Sequence, residues 1–292
     1  MIQHFVCKQQ AFQIPPSVLQ DETLPFPEVY CQRDEIVRLA QAIKAADGSS
    51  LCILPFCHTV EAEALGADIR HGNRHTGPRA GQPICTSTES LLALPDVDFS
   101  SGRIAEVLAA CRALREAGET VVLEISGPLT ILNALIEPHL IFRALRKQPT
   151  EMELVFQKLL TLLQSYIHLA EQAGVEFFSY ADPMADVGII GPKVAEQMTR
   201  TFTCQMLKNI EISTNPNTVI TLCPKTALAL IGCGCAVWES IPLSAAMPYP
   251  DALPEVRGKA KFTGQACLKN HSTRLPGAIR ALRLLNEERN PI

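Results

Sequence analysis

The sequence predicts a parallel α/β fold, either a (β/α) barrel or a doubly wound sheet. Short apolar runs of strand length alternate with amphipathic stretches at least five times along the 292 residues, which is typical of parallel strands joined by crossover helices. Apolar residues make up 47% of the chain and charged residues 19%, as expected for a chain with a large buried core. No glycine-rich nucleotide-binding motif is present, so a nucleotide-binding version of the fold lacks its usual signature.

The elements follow from apolar spacing and from the residues that end each run. Residues 1–33 contain Pro15, Pro16, Pro25 and Pro27 and predict an irregular N-terminal arm before a single barrel domain over 34–292. Buried strands are predicted at 51–55, 121–125, 175–180, 218–222, 236–238 and 261–263. Helices are predicted at 34–46, 59–65, 103–117, from 129, 149–173, 192–212, 226–231 and 273–287, with a polar loop over 66–82.

Composition excludes several classes of function. The net charge is −4 and no basic cluster is visible, so a nucleic-acid partner is not expected. No signal peptide and no membrane-span run is recognisable, which predicts a soluble, cytoplasmic protein that does not enter the membrane. The odd number of cysteines, eleven, argues against a disulfide framework and predicts mostly buried free thiols, a few of them ligands or nucleophiles.

Reactive side chains gather where the predicted strands end. Because the carboxyl ends of parallel strands form the functional face of these folds, these side chains are expected at one mouth. Thiolates with a carboxylate or an imidazole are zinc ligands, although buried thiols in a cysteine-rich chain are the simpler explanation on spacing alone. The residues concerned are Cys57, His58, Asp182, Cys223, Glu239 and Cys267.

Three motifs resemble a known family. The run LPFCHTVEAEALG over residues 54–66 is similar to a segment of the methylcobamide:coenzyme M methyltransferases, which belong to the uroporphyrinogen decarboxylase superfamily. SGPLT at 126–130 and ADPMA at 181–185 are similar to motifs found throughout that superfamily. The resemblance covers about residues 34–285. It implies a (β/α)8 TIM-type barrel in which a methyl group passes from a methyl-corrinoid protein to a zinc-activated thiol such as coenzyme M.

The resemblance also implies a set of site residues. Zinc in that branch is bound by a His-x-Cys after one strand and by a Cys after a later one, which makes Cys223 and Cys267 the metal ligands. Thr221 stands at the histidine position, so Glu239, His271 or a substrate thiol would have to complete the site. Asp182 and Glu239 are the candidate catalytic residues that orient the acceptor or the metal.

Corrinoid contacts are expected elsewhere in the chain. The candidates are Cys57, His58 and Arg74, the last of which lies in the polar loop over 66–82, where a solvated basic surface is the alternative explanation.

Two other functions remain open at this point. One is decarboxylation of a tetrapyrrole, although the arginine-rich N-terminal segment of the decarboxylases is missing from residues 1–50. The other is a non-catalytic protein that binds a corrinoid or a tetrapyrrole. No clear strand is visible near either end of the chain, so the barrel is expected to be incomplete at its terminal strands or closed by a partner subunit in a homodimer.

Overall fold

The computed structural model describes residues 2, 3, 5–7, 14–270 and 272–285. The chain divides into two compact units, which are described separately: the first unit comprises residues 11–178, and the second comprises residues 1–10 and 179–292. No helix in the described ranges is both long enough and apolar enough to cross a membrane.

The first unit is mainly helical around a pair of parallel strands. Residues 28–30 form a 3-10 turn. The helices are α1 (Pro16–Leu19), α2 (Arg33–Asp47), α3 (Val60–Ala64), α4 (Thr88–Leu92), α5 (Gly102–Glu116), α6 (Pro128–Leu135), α7 (Pro138–Lys147) and α8 (Pro149–Gln172). The strands are β1 (Leu51–Leu54), β2 (Ile69–Arg70), β3 (Arg79–Ala80) and β4 (Thr120–Ser126), with β5 (Phe177–Ala181) at the boundary with the second unit.

The parallel pair β1–β4 forms the centre of this unit. Leu51 lies opposite Thr120 and Leu54 opposite Leu123, so the carboxyl ends of both strands lie at the same edge. Both strands are almost fully buried, as their continuous apolar runs predict. Helix α2 ends at Gly48, whose left-handed backbone (φ 61°) confirms the predicted glycine stop. The predicted polar loop over 66–82 contains the short antiparallel hairpin β2–β3.

The second unit continues the alternation of strands and helices. The helices are α9 (Val187–Met198), α10 (Cys204–Ser213), α11 (Pro224–Gly232) and α12 (Leu253–Val256), with a π-helical turn at Thr199–Thr203 and 3-10 turns at Pro183–Ala185 and Pro250–Ala252. The strands after β5 are β6 (Val219–Leu222), β7 (Ala236–Pro242), β8 (Met247–Pro248), β9 (Phe262–Thr263), β10 (Arg274–Leu275) and β11 (Ala278–Leu284). The main sheet of this unit has the order β5-β6-β9-β11-β7.

One reversed strand distinguishes this sheet from a regular parallel array. Strand β6 is parallel to β9, whereas β11 is antiparallel to both β9 and β7. The fold is therefore mixed α/β with mainly parallel strands, in agreement with an incomplete TIM-type barrel.

The prediction of a final helix over 273–287 is wrong, because its described residues form β10 and β11. The arginine- and leucine-rich run has good helix formers. It pairs instead with β7 over seven consecutive residues, from Ala278 opposite Pro242 to Leu284 opposite Ala236. Long-range pairing of this kind overrides local propensity.

The predicted end of the strand at 238 is also wrong. Strand β7 extends to Pro242, which places Glu239 within the strand, opposite Ala281. Glu239 therefore does not follow a strand end.

Candidate functional site

The two cysteines predicted to bind zinc both lie in the second unit, next to neighbouring parallel strands. Cys223 directly follows β6 and precedes α11, and its backbone N–H donates to the carbonyl oxygen of Tyr180 at 2.8 Å. Cys267 lies four residues after the end of β9. The two thiols are close enough for a negative charge on Cys267 to raise the pKa of Cys223.

The surroundings of Cys223 oppose its ionisation in the absence of a cation. Burial raises the pKa of this thiol to about 11, and the charge of Cys267 adds to the increase. A hydrogen bond from the backbone N–H of Lys225, together with the Lys225 charge, acts in the opposite direction. At neutral pH the thiol is therefore protonated, and a bound cation would be needed to hold it as a thiolate.

Thr221, at the position where the resemblance implies a histidine, is used in a buried hydrogen-bond network. Its hydroxyl lies 3.0 Å from the hydroxyl of Thr263, which also accepts a hydrogen bond from the Tyr249 phenol at 3.2 Å. All three residues are at most 2% exposed. Within the described part of the chain, no three His, Cys, Asp or Glu side chains are grouped so that they could hold a metal ion. The prediction of a zinc site therefore depends on the thiols of Cys223 and Cys267, and His271 lies outside the described residues.

A glycine lets the segment that carries Cys267 approach β6. A Cβ atom added at Gly264 would lie 2.9 Å from the Cβ of Ala227 and 3.0 Å from the carbonyl oxygen of Leu222. Such distances are shorter than ordinary contacts between these atoms, so no side chain fits here without a shift. The absence of a side chain at 264 is therefore what allows this close packing beside Cys223.

Asp182 and Tyr180 lie at the end of β5. Asp182 is the first residue after the strand and is 7% exposed. The Tyr180 hydroxyl is fully buried and has no hydrogen-bond partner among the described residues. Burial raises the pKa of Tyr180 well above 10, and the nearby charges of Asp182 and Cys223 contribute to the increase. Sequence reasoning missed Tyr180, although its position two residues before Asp182 on a buried strand was a usable signal.

A partly buried ion pair anchors the first turn of α11. Lys225 pairs with Asp186, whose carboxylate also accepts the Gly188 N–H at 3.0 Å and so caps α9. The Asp186 side chain is 8% exposed and the Lys225 side chain 27%, so this pair is partly shielded from water. It fixes the residue whose backbone N–H reaches the sulfur of Cys223.

Glu239 is not among the buried residues around Cys223. Its side chain is about half exposed and pairs with Arg283 on the neighbouring strand β11. An exposed, neutralised carboxylate of this kind is typical of the surface of a sheet.

In the first unit, Arg74 is bound to the chain's own backbone. Its guanidinium donates to the carbonyl oxygens of Leu19, Asp21 and Leu24, the last two at 2.9 and 3.3 Å. It also lies over the ring of Phe26, 5.0 Å from the ring centroid. These contacts tie the loop that carries Arg74 to the N-terminal arm.

In the motif over residues 54–66, Glu61 makes a buried polar contact and does not form part of an open site. The Glu61 carboxylate is 1% exposed and accepts hydrogen bonds from the N–H and the hydroxyl of Ser126, at 2.7 and 3.0 Å. Burial raises the pKa of Glu61, against the effect of these bonds. Cys57 and His58 are half-buried in the turn between β1 and α3. Glu61 therefore joins two of the motifs on which the family resemblance rests.

Comparison with known proteins places these features in a family context. The chain is 25% identical over 266 residues to the methylcobamide:CoM methyltransferase MtaA of Methanosarcina barkeri, covering 89% of this chain and 77% of that protein. MtaA from the Fusaro strain of the same species is 24% identical over 259 residues, covering 87% of this chain and 74% of that protein.

A solved structure supports the fold. A methyltransferase from Methanosarcina mazei superposes with a TM-score of 0.62 at 24% identity, over 75% of this chain. The match spans 65% of the length of that structure, so it bears on the fold alone. The model of the uroporphyrinogen decarboxylase (URO-D) family matches residues 6–241. Because the match covers most of the sequence, the chain belongs to the uroporphyrinogen decarboxylase family.

Proposed function

We propose that this chain is a methyltransferase that moves a methyl group from a methyl-corrinoid protein to a small thiol such as coenzyme M. The observation that carries the proposal is the pair of interacting thiols, Cys223 and Cys267, next to two neighbouring parallel strands of a URO-D chain. Similarity to MtaA over 89% of the chain supports the same reaction class.

In this proposal Cys223 and Cys267 are the residues that hold zinc. Zinc bound there would act as a Lewis acid and favour the thiolate form of the acceptor. The Lys225 N–H donates to the sulfur of Cys223 and orients it. Asp182, at the end of β5, orients the acceptor thiol, and the corrinoid protein is the partner that delivers the methyl group.

The transfer itself is a displacement at carbon. The acceptor thiol loses its proton to solvent and its sulfur forms a bond to the methyl carbon. The carbon–cobalt bond breaks, and the electron pair of that bond stays on the corrinoid. If Cys223 and Cys267 hold zinc, the acceptor sulfur would supply a further soft donor to the metal. Zinc binding is therefore expected to tighten when the acceptor thiol is present.

Metal analysis and a transfer assay test the proposal together. Zinc per chain is measured in the wild type and in Cys223→Ser, Cys267→Ser and, as a control in the first unit, Cys31→Ser. Transfer is followed by the absorbance change of methylcobalamin with 2-mercaptoethanesulfonate as acceptor. Loss of both zinc and transfer in the first two variants, with both retained in the control, is the expected result.

Three other outcomes would argue against the proposed methyl transfer. A wild type without zinc, combined with unchanged transfer in Cys223→Ser and Cys267→Ser, would refute the proposal. Carbon dioxide release from uroporphyrinogen by the zinc-free protein would favour a decarboxylase. Tight binding of a corrinoid protein with no turnover of any thiol would favour a non-catalytic binding protein.

A further inference from the structure

A network of charged and polar side chains surrounds Cys57 in the first unit. The Arg103 side chain on α5 is 2% exposed, and its Nη2 lies 2.5 Å from Glu63 Oε2. The same nitrogen donates to the Thr59 hydroxyl at 2.7 Å. The other carboxylate oxygen of Glu63 contacts Nε2 of His71 at 2.9 Å. The network therefore extends from the partly exposed His71 to a deeply buried guanidinium.

The sulfur of Cys57 accepts two hydrogen bonds from this network. The Thr59 hydroxyl donates to it at 3.3 Å, and Nη1 of Arg103 donates at 3.4 Å. A cationic donor stabilises a negatively charged acceptor more than a neutral one. The sulfur is therefore held by two donors, one of them cationic, and the half-buried position of Cys57 leaves it partly accessible. Reactive cysteines occupy partly exposed, electropositive surroundings of this kind.

The same region contains two buried donors without acceptors. Nε of Arg103 and the hydroxyl of Tyr166 have no hydrogen-bond partner among the described residues. Tyr166 is fully buried and close enough to Cys57 and Arg103 to interact with their charges. The guanidinium that donates to the sulfur thus has a donor to spare for a bound group. Since buried donors are normally paired, this favours a ligand-binding role over a purely structural one.

Two other cysteines of the first unit serve as references for buried thiols. Burial raises the pKa of Cys52 and of Cys111 to about 12. Both side chains are 0% exposed, so neither sulfur is accessible from solvent. Cys57 differs from them in its exposure and in its cationic donor.

We propose that Cys57 is a nucleophilic thiol that takes up an alkyl group from a soft electrophile. The thiol proton is lost to solvent, the sulfur forms a bond to the electrophilic carbon, and the bond from that carbon to the leaving group breaks with its electron pair. The product is a neutral thioether at Cys57. The proposal rests on contacts within the first unit and makes no use of Cys223 or Cys267, so it stands or falls independently of the proposed methyl transfer.

Alkylation by iodoacetamide, followed by peptide mass spectrometry over time, tests the proposal on the full chain. Rates are measured separately for each cysteine, so that Cys52 and Cys111 serve as internal references for unactivated thiols. Thr59→Val removes the hydroxyl donor with little change in shape. Arg103→Lys keeps a positive charge but loses the planar fork that contacts both Thr59 and Glu63.

Two variants are expected to slow the alkylation of Cys57, and one is expected to accelerate it. Alkylation of Cys57 is expected to be at least tenfold faster than that of Cys52 or Cys111. Thr59→Val and Arg103→Lys are each expected to slow it roughly tenfold, since each removes a hydrogen-bond donor from the sulfur. Glu63→Gln is expected to accelerate it several-fold, because this change removes the carboxylate that shares the guanidinium.

The matched control is Arg112→Lys, the same substitution at an exposed position of the same helix, which should leave the rate at Cys57 unchanged. If Arg103→Lys fails to fold, Thr59→Val and Glu63→Gln decide the question. Equal rates at Cys57 in the wild type, Thr59→Val and Glu63→Gln would overturn the proposal, as would alkylation of Cys57 no faster than that of Cys52.

Discussion

Gly264→Ala probes whether close packing of the segment after β9 is needed to build the cysteine pair. The new methyl group would lie 2.9 Å from the Cβ of Ala227 and 3.2 Å from the Cβ of Leu222. Carbon atoms pack best at about 3.5–4.0 Å, so the segment must move by roughly 0.5–1 Å. Overpacking of this kind costs about 1–3 kcal/mol of unfolding free energy. The backbone at 264 is not left-handed, so this cost is steric.

Two measurements test the effect of Gly264→Ala. Thermal unfolding, monitored by circular dichroism, is expected to shift down by about 3–10 °C. On the proposed function zinc per chain is expected to fall as well, because the displaced segment carries Cys267 away from Cys223. Gly77→Ala is the control, since that glycine has no left-handed φ and no heavy atom within 4 Å of an added Cβ. Unfolding of Gly264→Ala within 1 °C of the wild type, with zinc retained, would refute the packing argument.

Three further substitutions test individual contacts. Because burial raises the pKa of Glu61 in the native state, the wild type should lose stability as the pH rises above the ordinary value of 4.5, whereas Glu61→Gln should not; urea unfolding at pH 4.5 and 8 checks this, and a gap between the two proteins that does not change with pH contradicts it. Thr221→Val should cost about 1–3 kcal/mol by urea unfolding and, on the proposed function, leave zinc per chain unchanged, since this hydroxyl bonds to Thr263; loss of zinc would contradict this. Glu239→Gln should change stability by less than about 0.5 kcal/mol and methyl transfer by less than twofold, because its partner Arg283 is exposed; a tenfold loss of transfer would restore its catalytic role.

Prediction from sequence worked where short-range signals decide the structure. Helix α2 with its stop at Gly48, and the buried strands β1, β4 and β6, were predicted to within one or two residues. Apolar spacing and a terminating glycine are properties of neighbouring residues, so they can be read without knowing the fold. The positions of Cys223 and Asp182 next to strand ends follow from the same signals.

Other features depended on contacts between distant residues. The strand β11 has the composition of a helix and forms only because β7 offers seven partners at the right register. Glu239 lost its place at a strand end for the same reason, since pairing with β11 extends β7 to Pro242.

The amino-acid sequence by itself determined the alternating α/β pattern and the thiols that follow two of its strands. Tertiary structure alone decided that Thr221 bonds to Thr263, that Arg74 binds the N-terminal arm, and that Arg103 reaches the sulfur of Cys57. Local spacing records which residues one strand or helix buries, whereas these hydrogen bonds join residues more than forty positions apart, and only the folded chain brings them together.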